Sequence, residues 1–549
     1  MDRTVVRMPS AISHGKMPRG LQSAGKAEKR GPLSGPPFGS RFGRFFDKSS
    51  NGVFDEPDLK ELADRMVAPL DRPKDGFDDE ESGIPALFTY LGQFIDHDVT
   101  FDPEGKFQKQ RDAEATIDFR TPAFDLDNVY GRGPGDQPYI YDDHNNFVLG
   151  DPIANGAPNG QAARDLPRSP AGRALIGDPR NDENAIVSQL QGLFLRFHNR
   201  VMVTVGQNFD EAQAITRAHY QYVVIHDFLP KIVNAKVLDS LKTRGQYDPN
   251  KLTLYAGLDL NSPFMPVEFS IAAYRLGHSM VRPGYRLNDA VLAPIFPVSD
   301  GSGPDLPEGL TGFRRLISNW AIDWSRFIDL EIRPYGPDPD NLPGPQDPAR
   351  DQALRDLGRR LQFAYRIDTS LVDPLGVLPK SVVGELSVAN PASLALRNLL
   401  RGSEFGLVTG QEAASLMKVP HISESQILVR KKGRPRTETE PVSAVASAFK
   451  RRCPLWTYVL AEAMQSEQQM RIPVDGHADP VGTPQLGPVG GGIVAQVFLA
   501  MLFADPVSFL NKKPDWRPNG GAFGLKQLVE YALGGTVDVK KLPWDWQIS

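Results

Sequence analysis

Apolar residues recur at helical spacing along much of this chain and alternate with polar ones almost nowhere. The first strong stretch is "IPALFTYLGQFIDHD", where Leu87, Leu91, Phe94 and Ile95 fall on one side of a helix. The same period returns over 184–205 and 210–233, then over 266–281, where it stops before Pro283. Shorter helical patterns follow near 311–329, 351–363, 391–401 and 453–468, with a last one over 492–503. Only "KLTLYA" (251–256) and "HNNFVLG" (144–150) read as strands. The pattern predicts a mainly α protein: one large helical domain with long loops and few short strands.

Composition adds to this picture more than it changes it. With 549 residues, 40% apolar and 23% charged, the chain can bury a sizeable core. Its 50 Gly and 48 Pro make up roughly 18% against a usual value of about 12%, so many turns and long connections are expected. Residues 99–178 are of that kind, and no polar linker separates two cores. Residues 37–549 are therefore expected to form a single domain. A basic N-terminal tail, residues 1–36, is expected to be disordered.

Residues 1–50 hold ten Lys/Arg against three Asp/Glu, whereas the whole chain carries −5. Nothing global points to nucleic acid or an anionic membrane. No run of 18 apolar residues exists, so no spanning helix is expected. The N-terminus lacks an apolar segment, which argues against a conventional signal peptide. A cytoplasmic location or a non-standard export route is expected. The single cysteine, Cys453, excludes an internal disulfide and a cysteine zinc site; beside Pro454 and Trp456 it reads as a buried apolar residue.

Chemistry concentrates in four short segments. In "GQFIDHDVTF", Gln93 and His97 are i and i+4 and share a helix face, with Asp96 beside them. Asp98 is rotated about 100° further round, toward a different neighbour. Alone, this cluster is equally a surface histidine with a capping acid, or a metal pair of a hydrolase. "RTPAFDLDNVYG" sets Thr121, Ala123, Asp125 and Asp127 at alternate positions, as an extended loop around a hard cation such as Ca²⁺ would require, or as a plain acidic turn. It lacks the Gly and Glu of an EF-hand loop. "ALIGDPRNDENAI" places Arg180 and Glu183 three apart at a helix start, and "YRLGHSMVRP" does the same with Arg275 and His278. Gly277 costs a helix roughly 1 kcal/mol, which close approach of something flat beside His278 would justify.

Taken in order, GQxxDHD, TxxxDxDxVYG, DxRxxE and YRxGH resemble the animal-type haem peroxidase superfamily, including its bacterial members. The likeness runs from about residue 40 to the C-terminus, through "GPVGGGIVAQVFLAMLFADPVSFL" (487–510). The resemblance implies a haem b enzyme that reduces H₂O₂ through a ferryl intermediate, in the response to oxidative stress. By it His97 is the distal base, Arg180 the distal arginine and Gln93 the distal glutamine near water and halide. His278 is the iron ligand, Asn398 in "ALRNLLRGSEFGL" its second-shell amide, and Arg275 a propionate partner. Asp96 and Glu183 match carboxylates that form ester links to haem. Asp98, Thr121, Ala123 (through its carbonyl), Asp125 and Asp127 match the ligands of one Ca²⁺.

One departure bears on substrate. Efficient chloride oxidisers of this family carry a methionine directly after the second ester glutamate, and here that position is Asn184. The implied donors are bromide, iodide, thiocyanate or small phenols. Three rival readings stand beside this one. A fatty-acid oxygenase of the cyclooxygenase-like branch would need a tyrosine three residues before the proximal histidine, where Arg275 stands. An HD-type phosphohydrolase would use His97, Asp98, His226 and Asp227. A scaffold or adhesion protein would keep the fold without the chemistry. His198 reads as structural.

Overall fold

The computed structural model describes residues 40–69, 78–100, 117–118, 122–154, 162–258, 264–297, 309–337, 341–383, 386–387, 391–539 and 541–544. The expected basic tail and Thr121 lie outside them. Helices dominate, and the strands among the described residues are short: a three-stranded sheet centred on Ser40–Gly43, and six pairs of strands. Ser40–Gly43 runs antiparallel to Ile117–Asp118 and parallel to Met265–Pro266. The main apolar cluster extends from Phe42 to Val539, and a small second one gathers Leu361, Phe363 and Ile472. Among the described residues, no helix is long and apolar enough to cross a membrane.

The long helices arise where periodicity and caps agree. Leu87–Val99 buries Leu87, Leu91, Phe94 and Ile95. Ala185–Thr204 starts at Asn184, whose Oδ1 accepts from the N–H groups of Ile186 (3.1 Å) and Val187 (2.8 Å). Phe209–Val223 continues through a π-helical turn, Val224–Phe228, into Leu229–Ile232. Leu394–Glu404 and Leu455–Met464 follow expectation closely. Pro488–Ala504 is apolar on all sides and correspondingly buried. Its glycines let it enter the core: a Cβ on Gly491 would lie 2.8 Å from the Leu486 carbonyl oxygen, and one on Gly490 2.9 Å from Val459 Cβ.

Elsewhere tertiary contacts override the pattern. The helix expected over 311–329 is irregular apart from a 3-10 turn at Trp324–Arg326. Its backbone is bonded instead by distant side chains. Gln189 donates to the Trp320 carbonyl (2.8 Å) and accepts from Ile322 N–H (2.9 Å), while Asn288 donates to the carbonyls of Asn319 and Ala321. "KLTLYA" forms 3-10 turns, because Leu254 N–H is taken by Gln496 rather than by a strand partner. "HNNFVLG" contributes only an isolated bridge between Phe147 and Tyr141. The 351–363 pattern ends as a helix at Arg359, and Phe363–Tyr365 pairs with Glu81–Pro85. The predicted 266–281 helix becomes a π turn, Glu268–Ala272, and a 3-10 turn, Ala273–His278. Buried Glu268 is held there by the N–H groups of Phe45 and Phe46 (3.1 Å each).

Candidate functional site

The helix Leu87–Val99 is buried except along one line, where Gly92, Gln93 and Asp96 are partly accessible. That line is the i, i+4 face read from sequence. Both Gln93 and His97 meet the same carboxylate: Gln93 Nε2 donates to Glu183 Oε1, and His97 Nε2 lies 3.4 Å from it. Asp98 points elsewhere, its Oδ2 accepting from Leu126 N–H at 3.3 Å. Asp96 Oδ1 takes the Thr100 hydroxyl (3.2 Å).

Sequence reasoning missed what fixes the imidazole. His97 Nδ1 is 2.7 Å from Asn181 Oδ1, and Asn181 Nδ2 donates to Gln191 Oε1 at 2.8 Å. Since Asn181 uses its N–H₂ on Gln191, its oxygen faces the ring and can only accept. Nδ1 therefore donates to it, and in the neutral ring the lone pair is on Nε2, on the side of Glu183. Asn184 performs a similar service for Gln93, whose Oε1 accepts from Asn184 Nδ2 (3.1 Å). That leaves the Gln93 amide nitrogen for Glu183.

Arg180 stands on a short 3-10 turn, Pro179–Asp182, capped by Asp178. Its guanidinium bonds Asp178 Oδ2 (2.9 Å) and the carbonyls of His97 (3.0 Å) and Thr100, which tie it to the end of the helix. Burial opposes its charge, but Asp178, helped by Asp96 and Glu183, raises its pKa above the ordinary value. The turn is braced from outside by Arg168, which makes paired bonds of 2.7–2.9 Å to both Asp165 and Asp182.

Across the interior, His278 ends the 3-10 turn Ala273–His278, and Asn398 Nδ2 lies 2.8 Å from its Nδ1. In this orientation the ring accepts at Nδ1. A ring that ligates a metal through Nε2 presents Nδ1–H instead, which requires only that the near-isosteric amide turn its oxygen inward. Burial, then Arg275, push His278 down to about 3, against an opposing pull from Asp96, so it is neutral at pH 7. Arg275 itself donates to the Ser270 carbonyl (2.8 Å). Tyr274 packs on Phe269 and donates to the Gly92 carbonyl (3.1 Å).

These residues fit a flat prosthetic group. His278, Arg180 and Asp96 are partly accessible although the segments that carry them are largely buried. The turn ending at His278 meets the helix that carries Asp96 and His97 through the bond from Tyr274 to the Gly92 carbonyl. A Cβ on Gly277 would meet nothing within 4 Å, which leaves room beside the proximal ring.

The loop expected to bind calcium is not gathered as a metal site among the described residues. Asp127 N–H bonds Asp125 Oδ1 (3.2 Å), and the Asp125 carbonyl accepts from Arg217 (2.6 Å), so the loop is ordered by its own groups. Ala123 lies in the same loop. No group of three or more His, Cys, Asp or Glu side chains among the described residues is gathered to hold a metal. No step below therefore runs through calcium, and the four residues of the phosphohydrolase reading do not form a centre. His198 is buried with Nδ1 2.9 Å from the Tyr130 hydroxyl, and Cys453 is buried.

Comparison with known proteins points in one direction. Residues 121–298 match the family described as animal haem peroxidase, and over this stretch the chain is similar to that family. The match contains Arg180, Glu183, Arg275 and His278. The human peroxidasin homolog is 29% identical over 185 residues, 29% of this chain and 12% of that protein. Pig thyroid peroxidase is 32% identical over 137 residues, 23% of this chain and 14% of that protein. The matched stretch thus spans a small part of these relatives. Peroxidase A from Dictyostelium discoideum superposes with a TM-score of 0.53 at 14% identity, covering 95% of this chain and 100% of that one. A variant of the Oryza sativa fatty acid alpha-dioxygenase, solved with palmitic acid, gives 0.50 at 14% identity over 92% and 85%. Both share the mainly α fold.

Proposed function

We propose that this chain is a haem peroxidase that reduces H₂O₂ and draws electrons from a small anionic or phenolic donor, with bromide, iodide and thiocyanate preferred to chloride. The observation that carries the reading is the orientation of His97, whose Nδ1 faces Asn181 Oδ1 and whose Nε2 is left for a reacting proton. His278 would hold the iron, Asn398 would brace it, Arg275 would meet a propionate, and Asp96 and Glu183 would supply the ester links. Haem, when bound, supplies the iron that receives peroxide and stores its two oxidising equivalents.

The chain's own residues supply the rest. His97 Nε2 takes a proton from one peroxide oxygen and returns it to the other, which leaves as water. Asn181 Oδ1, 2.7 Å from Nδ1, accepts from the ring while it carries the second proton. Arg180 is a permanent cation for the charge that develops as the O–O bond breaks. Asn184 is fully used, capping a helix and orienting Gln93, at the position where chloride oxidisers carry methionine. That supports the preference for more easily oxidised anions.

The test is optical. Haem-supplied protein is mixed rapidly with H₂O₂ and then with bromide, and the Soret band is followed. A shift on peroxide that reverses on bromide is expected. His97→Ala is expected to slow the first step by about 10²–10⁴-fold. Haem that resists acid–acetone extraction would report the ester links. Protein that takes up no haem would sink the reading.

A further inference from the structure

Away from this site, the π-helical turn Val224–Phe228 closes one side of a cavity of about 380 Å³. At about 30 Å³ per water-sized group, that volume suits a ligand of roughly a dozen non-hydrogen atoms. Five separate segments converge on it: the π turn, the helix Ala235–Ser240, the hairpin at 242–247, Gln468, and the stretch from Leu510 to Arg517. One-turn π insertions recur at functional sites. Here the widened turn packs His226 on Tyr222 (ring centroids 4.3 Å apart) and places it in the cavity wall. Asp227 is turned away, bonded to Leu525 N–H (2.7 Å) and to Lys231. The acid beside His226 is thus not part of the cavity.

The remaining charges are uneven. Lys242 and Arg517 line the cavity with a single carboxylate, Asp239, which pairs with Lys242 at 3.0 Å. Arg517 Nη1 donates to the carbonyls of Pro514 (3.1 Å) and Trp516 (2.8 Å), which orient the guanidinium without neutralising it. Burial, and then Arg517 and Lys242, depress His226 to about 4, so the imidazole is neutral and both cations act on it. Its Nε2 is buried without a hydrogen-bond partner among the described residues. Ile225, Leu238 and Leu510 make the apolar part of the wall.

We propose that this cavity is a second binding site, for a compact apolar monocarboxylate of the arylalkanoate class, with its carboxylate at Arg517 and Lys242 and its hydrocarbon body against Leu238 and Leu510. Two cations against one carboxylate leave a single net positive charge, which matches one carboxylate better than a doubly charged phosphate. The apolar wall rewards a body that an inorganic anion lacks.

The test titrates phenylbutyrate calorimetrically into the full-length, haem-supplied chain, with phenylbutanamide as its uncharged twin. The acid is expected to bind with an unchanged Soret band, and the amide about tenfold or more weakly. Arg517→Gln, at an exposed position, and Lys242→Gln are each expected to weaken the acid by a similar factor and to leave the amide unaffected. Equal binding of acid and amide, or wild-type binding by both variants, overturns the proposal. So does competition by inorganic phosphate at equal concentration, or binding that moves the Soret band and so belongs to the haem space. Absence of binding in the millimolar range also overturns it. The outcome does not depend on the peroxidase reading, because a chain that took up no haem would still be titrated and judged by the same variants.

Discussion

At the scale of single residues, the site turns on an asparagine that carries no charge. On the proposed role of His97, Asn181 decides which nitrogen is the base, and Gln191 decides which end of Asn181 faces the ring. Asn181→Leu keeps the bulk and removes the acceptor, which frees the ring to place its proton on Nε2. The rate constant for reaction with H₂O₂ should fall about 10–100-fold, the range for lost second-shell partners, with the haem spectrum unchanged. Asn181→Asp, which accepts the same bond, should recover most of the rate. A leucine variant as fast as wild type would show that the tautomer is set elsewhere. That His97, Arg180 and Glu183 come together was legible in the sequence, because charged and polar residues stood at tight local spacing. Asn181 was not, although it lies inside the same segment, because its partner is 84 positions away in sequence.

At the scale of elements, the legible helices were those whose caps and apolar faces agree, and the illegible ones were those answered from a distance. The 311–329 segment has helical periodicity but spends its backbone groups on Gln189 and Asn288. The helix Pro488–Ala504 shows a second kind of distant control. Its first N–H groups, those of Val489 and Gly490, bond the buried Glu462 carboxylate at 3.0–3.1 Å. A helix N-terminus favours an anion, yet burial wins and raises Glu462 to about 7. A raised folded-state value means that the folded protein binds the proton more tightly than the unfolded chain does. This group's stabilisation is therefore fully present below about pH 4.5 and is lost as pH rises through 7. Glu462→Gln keeps the acceptor oxygen and removes the titration. Relative to wild type it should gain roughly 1–3 kcal/mol between pH 5 and pH 8, read as diverging denaturation midpoints. Parallel midpoints across that range would mean that the carboxylate ionises freely.

At the scale of the molecule, one core was legible from the missing linker, but the way it assembles the site was not. The walls come from Leu87–Val99, the turn before Ala185, the turn ending at His278 and the helix Leu394–Glu404, joined by long irregular connections. Sequence periodicity places residues on a face of their own element and says nothing of which faces meet. A buried ion group, Glu81 with Arg282 and Arg360, is one fastener that does so, tying the entry to the helix Leu87–Val99 to the segment after His278. If the chain holds haem through these four elements as proposed, the folded chain should bind haem and the unfolded chain should not. Mass action then stabilises the fold by about 2.7 kcal/mol at free haem 100-fold above Kd, a rise of a few degrees in melting temperature. His278→Ala removes the iron ligand while leaving the surrounding apolar core intact. It should melt with the haem-free wild type and gain much less when haem is added. An equal gain would mean that haem is held without His278, and the proximal assignment would fall with the protein still folded.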